Sequence, residues 1–312
     1  MMARYLVTGG AGFIGSHLCD ALLGAGHTVR VLDDLSTGKR TNLDDRAELL
    51  TGDVADPAVV RRAMSGMDGC FHLAAIASVV RANEDWLGAH RVNLGGTIAV
   101  LDAAARMGRV PVVYASSAAV YGALDGVASE TSLTVPLSAY GADKLGSEQH
   151  ARAGFVVHGV PSVGFRFFNV YGPRQDPRSP YSGVISIFAA ALAAGRGVTM
   201  HGDGQQSRDF IYVTDVVAFL VAGMVRAEAE QGAWVLNACT GRETTIRELV
   251  DTLGRLLERR PVITAGPSRS GDVRRSVGAP ERARELLASV AQTDLYGGLQ
   301  ATLSDGLVEA TV

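Results

Sequence analysis

Residues 8–18 read TGGAGFIGSHL, directly after the apolar run RYLV (4–7). The glycines satisfy two spacings at once: G-x-x-G-x-x-G through Gly9, Gly12 and Gly15, and G-x-G-x-x-G through Gly10, Gly12 and Gly15. Glycine permits a tight turn and lets backbone N–H groups approach a pyrophosphate at a helix N-terminus. A glycine pattern alone is weak evidence. This one follows a strand pattern, opens a helical pattern near 15–25, and has Asp33 closing the next apolar run, HTVRVLD (27–33). That is the context of a dinucleotide-binding turn. A carboxylate at Asp33 can accept from both ribose hydroxyls and would repel a 2′-phosphate, which favours NAD over NADP. Arg30, Lys39 and Arg40 are nearby cations that argue the other way.

Outward from this turn, short apolar runs alternate with helical stretches. Candidate strands are RYLVTG, HTVRVLD, AELLTG, GCFHLA, VPVVYAS and PSVGFRFF, with helical patterns near 57–66, 86–107 and 139–158. The alternation predicts an α/β fold: a doubly wound parallel sheet of Rossmann type, with strand order reversing beside the glycine turn. After about residue 170 the rhythm changes. NVYGPRQDPRSPYSG (169–183) reads as a long functional loop. Helices near 184–195, 214–228, 244–258, 280–290 and 295–308 follow, with short strands between them. Thr244 and Glu248 miss capping-box spacing by one residue. The expected division is a dinucleotide domain over 1–170 and a smaller α/β substrate lobe over 171–312, with some chain crossing back.

The chain of 312 residues is 47% hydrophobic and 20% charged, enough for a sizeable core. A net charge of −3 gives no basic footprint for nucleic acid. Cys19, Cys70 and Cys239 are widely spaced and form neither a disulfide frame nor a zinc motif. The histidines show no HxxxH or HExxH spacing, so no metal is expected; His72 and His201 read as packed residues. No uninterrupted stretch has the length of a membrane span, and ISIFAAALAA (185–194) reads as a core-facing helix. The start lacks a basic n-region and an apolar h-region, so a cytoplasmic protein is expected.

Within SAYGADKLGSEQ (138–149), Tyr140 and Lys144 stand one helical turn apart. A free tyrosine is a poor base at neutral pH. One ammonium at about 4 Å contributes roughly 4 kcal/mol at an effective dielectric near 20, which would bring the phenol down by about three pKa units. A phenol poised near pH 7 can take a proton from a sugar hydroxyl and return it. An exposed helix face explains most such pairs; here YASSAAVYG (114–122) lies just upstream.

With TGGAGFIGSHL, LDDLSTGK, GDVAD, FHLAAIASV, YASSAAVYG, YGADK, FFNVYGPRQ, GDGQQSRDFIYV and RSGDVRRS in order, the chain resembles the extended short-chain dehydrogenase/reductases. Among these it looks most like the UDP-hexose 4-epimerases, from Tyr5 to about Leu287. The resemblance implies that Gly9, Gly12, Phe13, Ile14 and Gly15 hold the NAD pyrophosphate. Asp33, Asp34, Leu35, Ser36, Thr37 and Gly38 would take the adenosine ribose and phosphate, and Asp53 and Val54 the adenine. Leu73, Ala74 and Ala75 would line the cofactor, with Asn93 nearby and Phe168 near the nicotinamide. It implies Ser117, Tyr140 and Lys144 as catalytic residues, with Ser117 a better match than Ser116. For a UDP-sugar it implies Asn169, Val184, Thr199, Met200, His201, Arg208, Arg269, Asp272 and Ser276, together with Ser117 and Tyr140. Guanidinium groups at Arg208 and Arg269 suit a diphosphate. Asn169 could equally cap a turn, Asp272 could pair with Arg274 or Arg275, and Arg174 reads equally as a surface charge.

The implied reaction is NAD-dependent inversion at C4 of a UDP-hexose through a 4-keto sugar. Nucleotide-sugar dehydratases of this family carry an Asp-Glu pair after the serine or threonine; Ala118-Ala119 fills that slot here. Uronate-handling members usually carry threonine where this chain has Asn169. The position of Ser276 borders the sugar C2 substituent in the family, where a tyrosine excludes an N-acetyl group. Serine leaves space, implying acceptance of UDP-N-acetylglucosamine beside UDP-glucose. The other readings are a UDP-glucuronate 4-epimerase, another nucleotide-sugar dehydratase or reductase, and a non-catalytic NAD-binding scaffold. The family often pairs helices equivalent to 86–107 and 139–158 into a homodimer, so a homodimer is expected.

Overall fold

Six strands from the first 170 residues and one from beyond them pair into a single parallel sheet. The computed structural model describes residues 2–176, 183–267 and 273–304. The strands are β1 (Arg4–Thr8), β2 (Thr28–Asp33), β3 (Glu48–Thr51), β4 (Gly69–His72), β5 (Val112–Ser117), β6 (Ser162–Phe167) and β11 (Ala233–Ala238), in the spatial order β11-β6-β5-β4-β1-β2-β3. β1 therefore has β2 on one side and β4 on the other, and strand order reverses there as the glycine turn predicts. β11 comes from beyond residue 170 and pairs with β6, so chain from beyond the expected dinucleotide domain completes the sheet.

Both faces of the sheet are covered, and the period of two decides which residue goes where. Tyr5, Val7, Val31, Phe71 and Val113 pack on one face against α1 (Phe13–Gly24) and α8 (Val213–Ala229), through Leu18, Leu22, Phe219, Leu220 and Met224. Their neighbours Leu6, Leu32, Cys70, Val112 and Tyr114 pack on the other face against α2 (Pro57–Met64) and α5 (Gly96–Arg106). Each fully buried Val, Leu or Phe contributes about 1.5–3 kcal/mol. A glycine in the middle of β6 has a steric cause: Gly164 pairs with Tyr114, and a Cβ there would lie 2.3 Å from the Tyr114 ring.

The helical stretch near 86–107 is three pieces. Ser78 caps α3 (Val79–Glu84), a helix absent from the sequence expectation, and Asp85 accepts from Gly88 N–H to start α4 (Trp86–His90). A π turn (Arg91–Gly95) joins α4 to α5. α6 (Ala139–His158) is capped by Ser138 and ends at Gly159 in the left-handed conformation.

The smaller lobe is built from pairs of short strands. β7 (Asn169–Tyr171) pairs β10 (Phe210–Tyr212), and β8 (Val198–His201) pairs β13 (Ile263–Gly266). β9 (Ser207–Arg208) lies between β12 (Thr244–Thr245) and β14 (Arg275–Ser276). Their apolar core joins α7 (Val184–Ala193), α9 (Ile246–Leu256) and α11 (Leu295–Thr302) through Phe188, Leu192, Met200, Leu249, Leu253 and Leu299. α10 (Glu281–Leu287) returns to the large sheet beside β11. The capping reading at α9 is corrected: Thr245, not Thr244, is the N-cap, and its exchange with Glu248 is a full capping box at i, i+3 spacing.

Arg166 on β6 meets Glu148 on α6 through two hydrogen bonds of 2.9 and 2.7 Å, both residues being buried. Replacing Arg166 by Met leaves a buried carboxylate uncompensated and is expected to cost about 3–5 kcal/mol, measured by urea unfolding. Adding Glu148→Leu to that variant should recover most of the loss.

Candidate active site

The glycine turn opens a cavity of about 620 Å³ at the C-terminal ends of the sheet strands. Gly12 starts α1 with no side-chain cap, and no acidic residue occupies the first turn. The first N–H groups of the helix are thus available to an anion, and its dipole favours one. The turn tolerates little else: a Cβ on Gly15 would lie 2.1 Å from the Gly9 carbonyl oxygen, and one on Gly9 would lie 2.7 Å from Ala74 N.

Asp33 ends β2 at the cavity wall. Its Oδ2 accepts from Ala11 N–H at 3.0 Å and its Oδ1 from Leu35 N–H at 2.9 Å. Burial pushes this carboxyl above its usual range while the two amides draw it back. Each oxygen keeps a lone pair for a ribose hydroxyl. Two of the cations that argued for a 2′-phosphate are engaged elsewhere: Arg30 with Glu48 at 2.8 Å and Lys39 with Asp176 at 3.4 Å. Arg174, in the long loop, pairs with Asp20 at 2.8 Å.

Of the expected cofactor residues, Gly9, Gly12, Phe13, Ile14, Gly15, Asp33, Asp34, Ser36, Thr37, Gly38, Asp53, Val54, Leu73, Ala74, Ala75 and Phe168 all line this cavity, with Tyr140 and Lys144. Leu35 and Asn93 do not. Asn93 is buried and clamps Ile76 from both sides, accepting from its N–H at 2.8 Å and donating to its carbonyl at 3.3 Å. It shapes the wall through the backbone. The lining also includes Arg81 and Arg91, which no motif marked, and Gln175, the last residue of FFNVYGPRQ, to which no role was assigned. Arg91 reaches it from the π turn and binds Asp53 at 2.8 Å.

Ser117, Tyr140 and Lys144 converge on the same cavity from β5 and α6. Burial raises the Tyr140 phenol above its ordinary value, and the nearby Ser117 hydroxyl draws it back in part. The Lys144 ammonium is turned to the Ala115 carbonyl at 2.8 Å and lies 5.8 Å from the centre of the Tyr140 ring. Burial lowers Lys144 to about 8. The expectation of a phenol brought near pH 7 by an ammonium at hydrogen-bond range is therefore corrected. Helical spacing places the pair on one stripe, but desolvation of both groups outweighs the simple Coulomb argument. The two adjacent serines have separate partners: Ser116 is buried and donates to Glu148 at 2.5 Å.

Asn169 lines the cavity beside Phe168. Of the other expected sugar-nucleotide residues, Val184, Thr199, Met200, His201, Arg208 and Ser276 lie in the smaller lobe and not on this cavity wall. Val184 begins α7; Thr199, Met200 and His201 form β8, with the Met200 side chain in the lobe core. His201 Nδ1 lies 2.9 Å from the Pro267 carbonyl oxygen. Arg208 pairs in register with Ser276 and donates to the Ser207 and Val273 carbonyls at 2.8 Å. Arg269 and Asp272 lie outside the described residues. No cluster of metal-binding side chains occurs among the described residues, and no helix there is long and apolar enough to cross a membrane.

The family model for the NAD dependent epimerase/dehydratase family matches residues 5–239. The chain is 38% identical to a UDP-glucose 4-epimerase of Mycolicibacterium smegmatis over 309 residues, covering 96% of this chain and 97% of the relative. The structure of UDP-glucose 4-epimerase from Thermotoga maritima with UDP-glucose superposes with a TM-score of 0.92 at 34% identity, covering 97% of this chain and 98% of that one. UDP-N-acetylglucosamine 4-epimerase from Methanobrevibacter ruminantium, in complex with UDP-N-acetylmuramic acid, gives 0.93 at 30% identity, covering 99% of both.

The glycine cradle that a Cβ would fill, the uncapped helix start and the part-satisfied Asp33 carboxylate fit NAD. Gly15→Ala is expected to weaken NAD binding roughly tenfold or more, because the turn must shift to clear the Gly9 carbonyl; NAD titration of the variant by intrinsic fluorescence tests this. Sequence match, fold and fingerprint agree, and the chain belongs to the NAD-dependent epimerase/dehydratase family.

Proposed function

We propose that this protein inverts C4 of UDP-hexoses in an NAD-dependent cycle with no net redox change. The carrying observation is that Ser117, Tyr140 and Lys144 sit on the wall of the one cavity that the glycine turn and Asp33 open. Bound NAD supplies a two-electron acceptor and donor. Tyr140 takes the proton of the C4 hydroxyl as that carbon becomes a ketone and returns it after the sugar has turned over. Ser117, on the same cavity wall as Tyr140, steadies the C4 oxygen with its hydroxyl. Lys144, as a cation on the next helical turn, favours the phenolate against burial. The glycine turn and Asp33 hold the cofactor. Arg208 and Arg269 would hold the UDP diphosphate, and Asn169, Val184, Thr199, Met200, His201 and Asp272 would surround the rest of the nucleotide-sugar.

The side chains after Ser117 support epimerisation over dehydration. Ala118 and Ala119 form a short 3-10 turn whose start is capped by Ser117, accepting from Ala119 N–H at 3.1 Å. They offer no acid or base to eliminate water. Ser276 stands beside Arg208 in β14 and is a small side chain at the position that would border the sugar C2 substituent. We infer that UDP-N-acetylglucosamine is accepted as well as UDP-glucose.

Proton NMR of the purified protein with UDP-glucose or UDP-N-acetylglucosamine should show the C4 epimer appearing; no epimer from either, even with NAD supplied, would remove the reading. Tyr140→Phe should lower kcat by about 10²-fold or more with the UDP-sugar KM little changed. Ser276→Tyr should suppress turnover of the N-acetylated substrate selectively, and equal loss of both substrates would contradict the role given to Ser276.

A further inference from the structure

The loop that follows β7 is fastened, over residues 172–176, to the glycine-turn side of the cavity. His17 Nε2, on α1, donates to the Pro173 carbonyl at 3.0 Å, and the same imidazole stands edge-on to the cavity-lining Phe13, with ring centres 6.0 Å apart. Arg174 pairs with Asp20, also on α1, at 2.8 Å. Asp176 pairs at 3.4 Å with Lys39, which directly follows Ser36, Thr37 and Gly38 of the cavity wall. Gln175, between these two ion pairs, lines the cavity itself. Its amide is held from the smaller lobe: Nε2 donates to the Val170 carbonyl at 3.3 Å, and Oε1 accepts from the hydroxyl of Ser186, which is buried on α7. A segment tied to α1 at one end and beside Gly38 at the other, with its middle residue on the wall, spans the cavity.

The segment is held against a backbone preference. Arg174 has a φ of +64°, in the left-handed region that residues with a Cβ seldom adopt. Such a conformation persists where the surrounding contacts over-determine it. Here those contacts are the ties to His17, Asp20 and Lys39, and the Arg174–Asp20 pair acts on the strained residue directly.

We propose that residues 173–176 are a strap that gates the exchange of NAD, with the Arg174–Asp20 ion pair as its latch. The role rests on the cavity being the NAD site, whichever sugar is turned over. Neither Asp20 nor Arg174 lines that cavity, so the latch acts on the rate of passage and not on contacts to the bound dinucleotide. A plain charge effect has the opposite sign. Asp20 lies two turns along the helix whose start receives the pyrophosphate, and removing its negative charge would relieve repulsion of an anion. An opened latch releases NAD faster instead.

Protein loaded with isotope-labelled NAD and chased with unlabelled NAD gives the dissociation rate, and NAD titration by intrinsic fluorescence gives Kd. Asp20→Ala, Arg174→Ala and the double variant should each release NAD about fivefold faster than wild type, the scale that a part-exposed ion pair supplies. The factor should be the same for all three, because either change opens the same latch. Kd should stay within about twofold, since entry quickens with exit. Asp20→Arg alone should be fast, and adding Arg174→Asp should restore slow release, which separates the latch from a loss of folding. Unchanged release from both single variants overturns the proposal and leaves a surface ion pair. Slower release from Asp20→Ala, or a Kd that weakens in step with the release rate, also overturns it, in favour of a direct effect on the bound cofactor. A wild type that binds no NAD removes the site and the strap together, and the titration alone shows it.

Discussion

The buried pair of Glu148 and Arg166 fixes the seam on which the catalytic groups depend. Tyr140, Lys144 and Glu148 recur every four residues and form one stripe along α6. Each faces the end of β5: Tyr140 shares the cavity wall with Ser117, Lys144 donates to the Ala115 carbonyl, and Glu148 accepts from Ser116. Arg166, from the neighbouring strand β6, closes the third contact and stacks its guanidinium 4.7 Å from the centre of the Tyr121 ring. Burial works against that charge, but Glu148 outweighs it and raises the guanidinium further. The helix can neither slide nor roll against β5 without separating a desolvated ion pair. A four-residue repeat thus does two jobs, anchoring one end of the stripe and presenting reactive groups at the other.

The second constraint is topological. In a parallel sheet every strand delivers its following residue to the same edge. Here those residues are the glycine turn after β1, Asp33 at the end of β2, Leu73–Ala75 after β4, Ser117 at the end of β5, and Phe168 with Asn169 after β6. Reversal of strand order beside β1 sends the helices on either side of it to opposite faces and leaves the crevice open there. Residues spread over 160 positions of chain are collected by this one geometric fact.

What could be read from the sequence was what depends on local pattern. The strands of the large sheet show as apolar runs, and the site residues at their ends are carried by the glycine spacing, Asp33 and the Tyr-Lys turn. Arg91 is harder to read, because it reaches the cavity from the π turn at 91–95, which inserts a change of helical phase that no periodicity announces. The Arg166–Glu148 pair joins positions 18 apart, and nothing in either segment marks its partner. The cap of α9 was misplaced by one residue, because Thr244 and Thr245 are adjacent and only the backbone conformation decides between them. The ionisation of Tyr140 was misjudged for a different reason: spacing gives proximity, whereas desolvation is a property of the packed structure.

That last point bears on why a lysine stands at 144. Of the 29 lysines and arginines in the chain, only Lys39 and Lys144 are lysine, so the sequence as a whole strongly favours the guanidinium. An arginine at 144 would bring a permanent charge and five donors in a rigid plane into a site where the ammonium makes one protein hydrogen bond, to the Ala115 carbonyl. Its unmet donors would be buried at a cost of about 1–3 kcal/mol each. Lysine brings a compact charge on a flexible stem, whose remaining protons can point toward the cavity that it lines. Its weakness is that burial can strip its proton within the physiological range, since Lys144 is lowered to about 8.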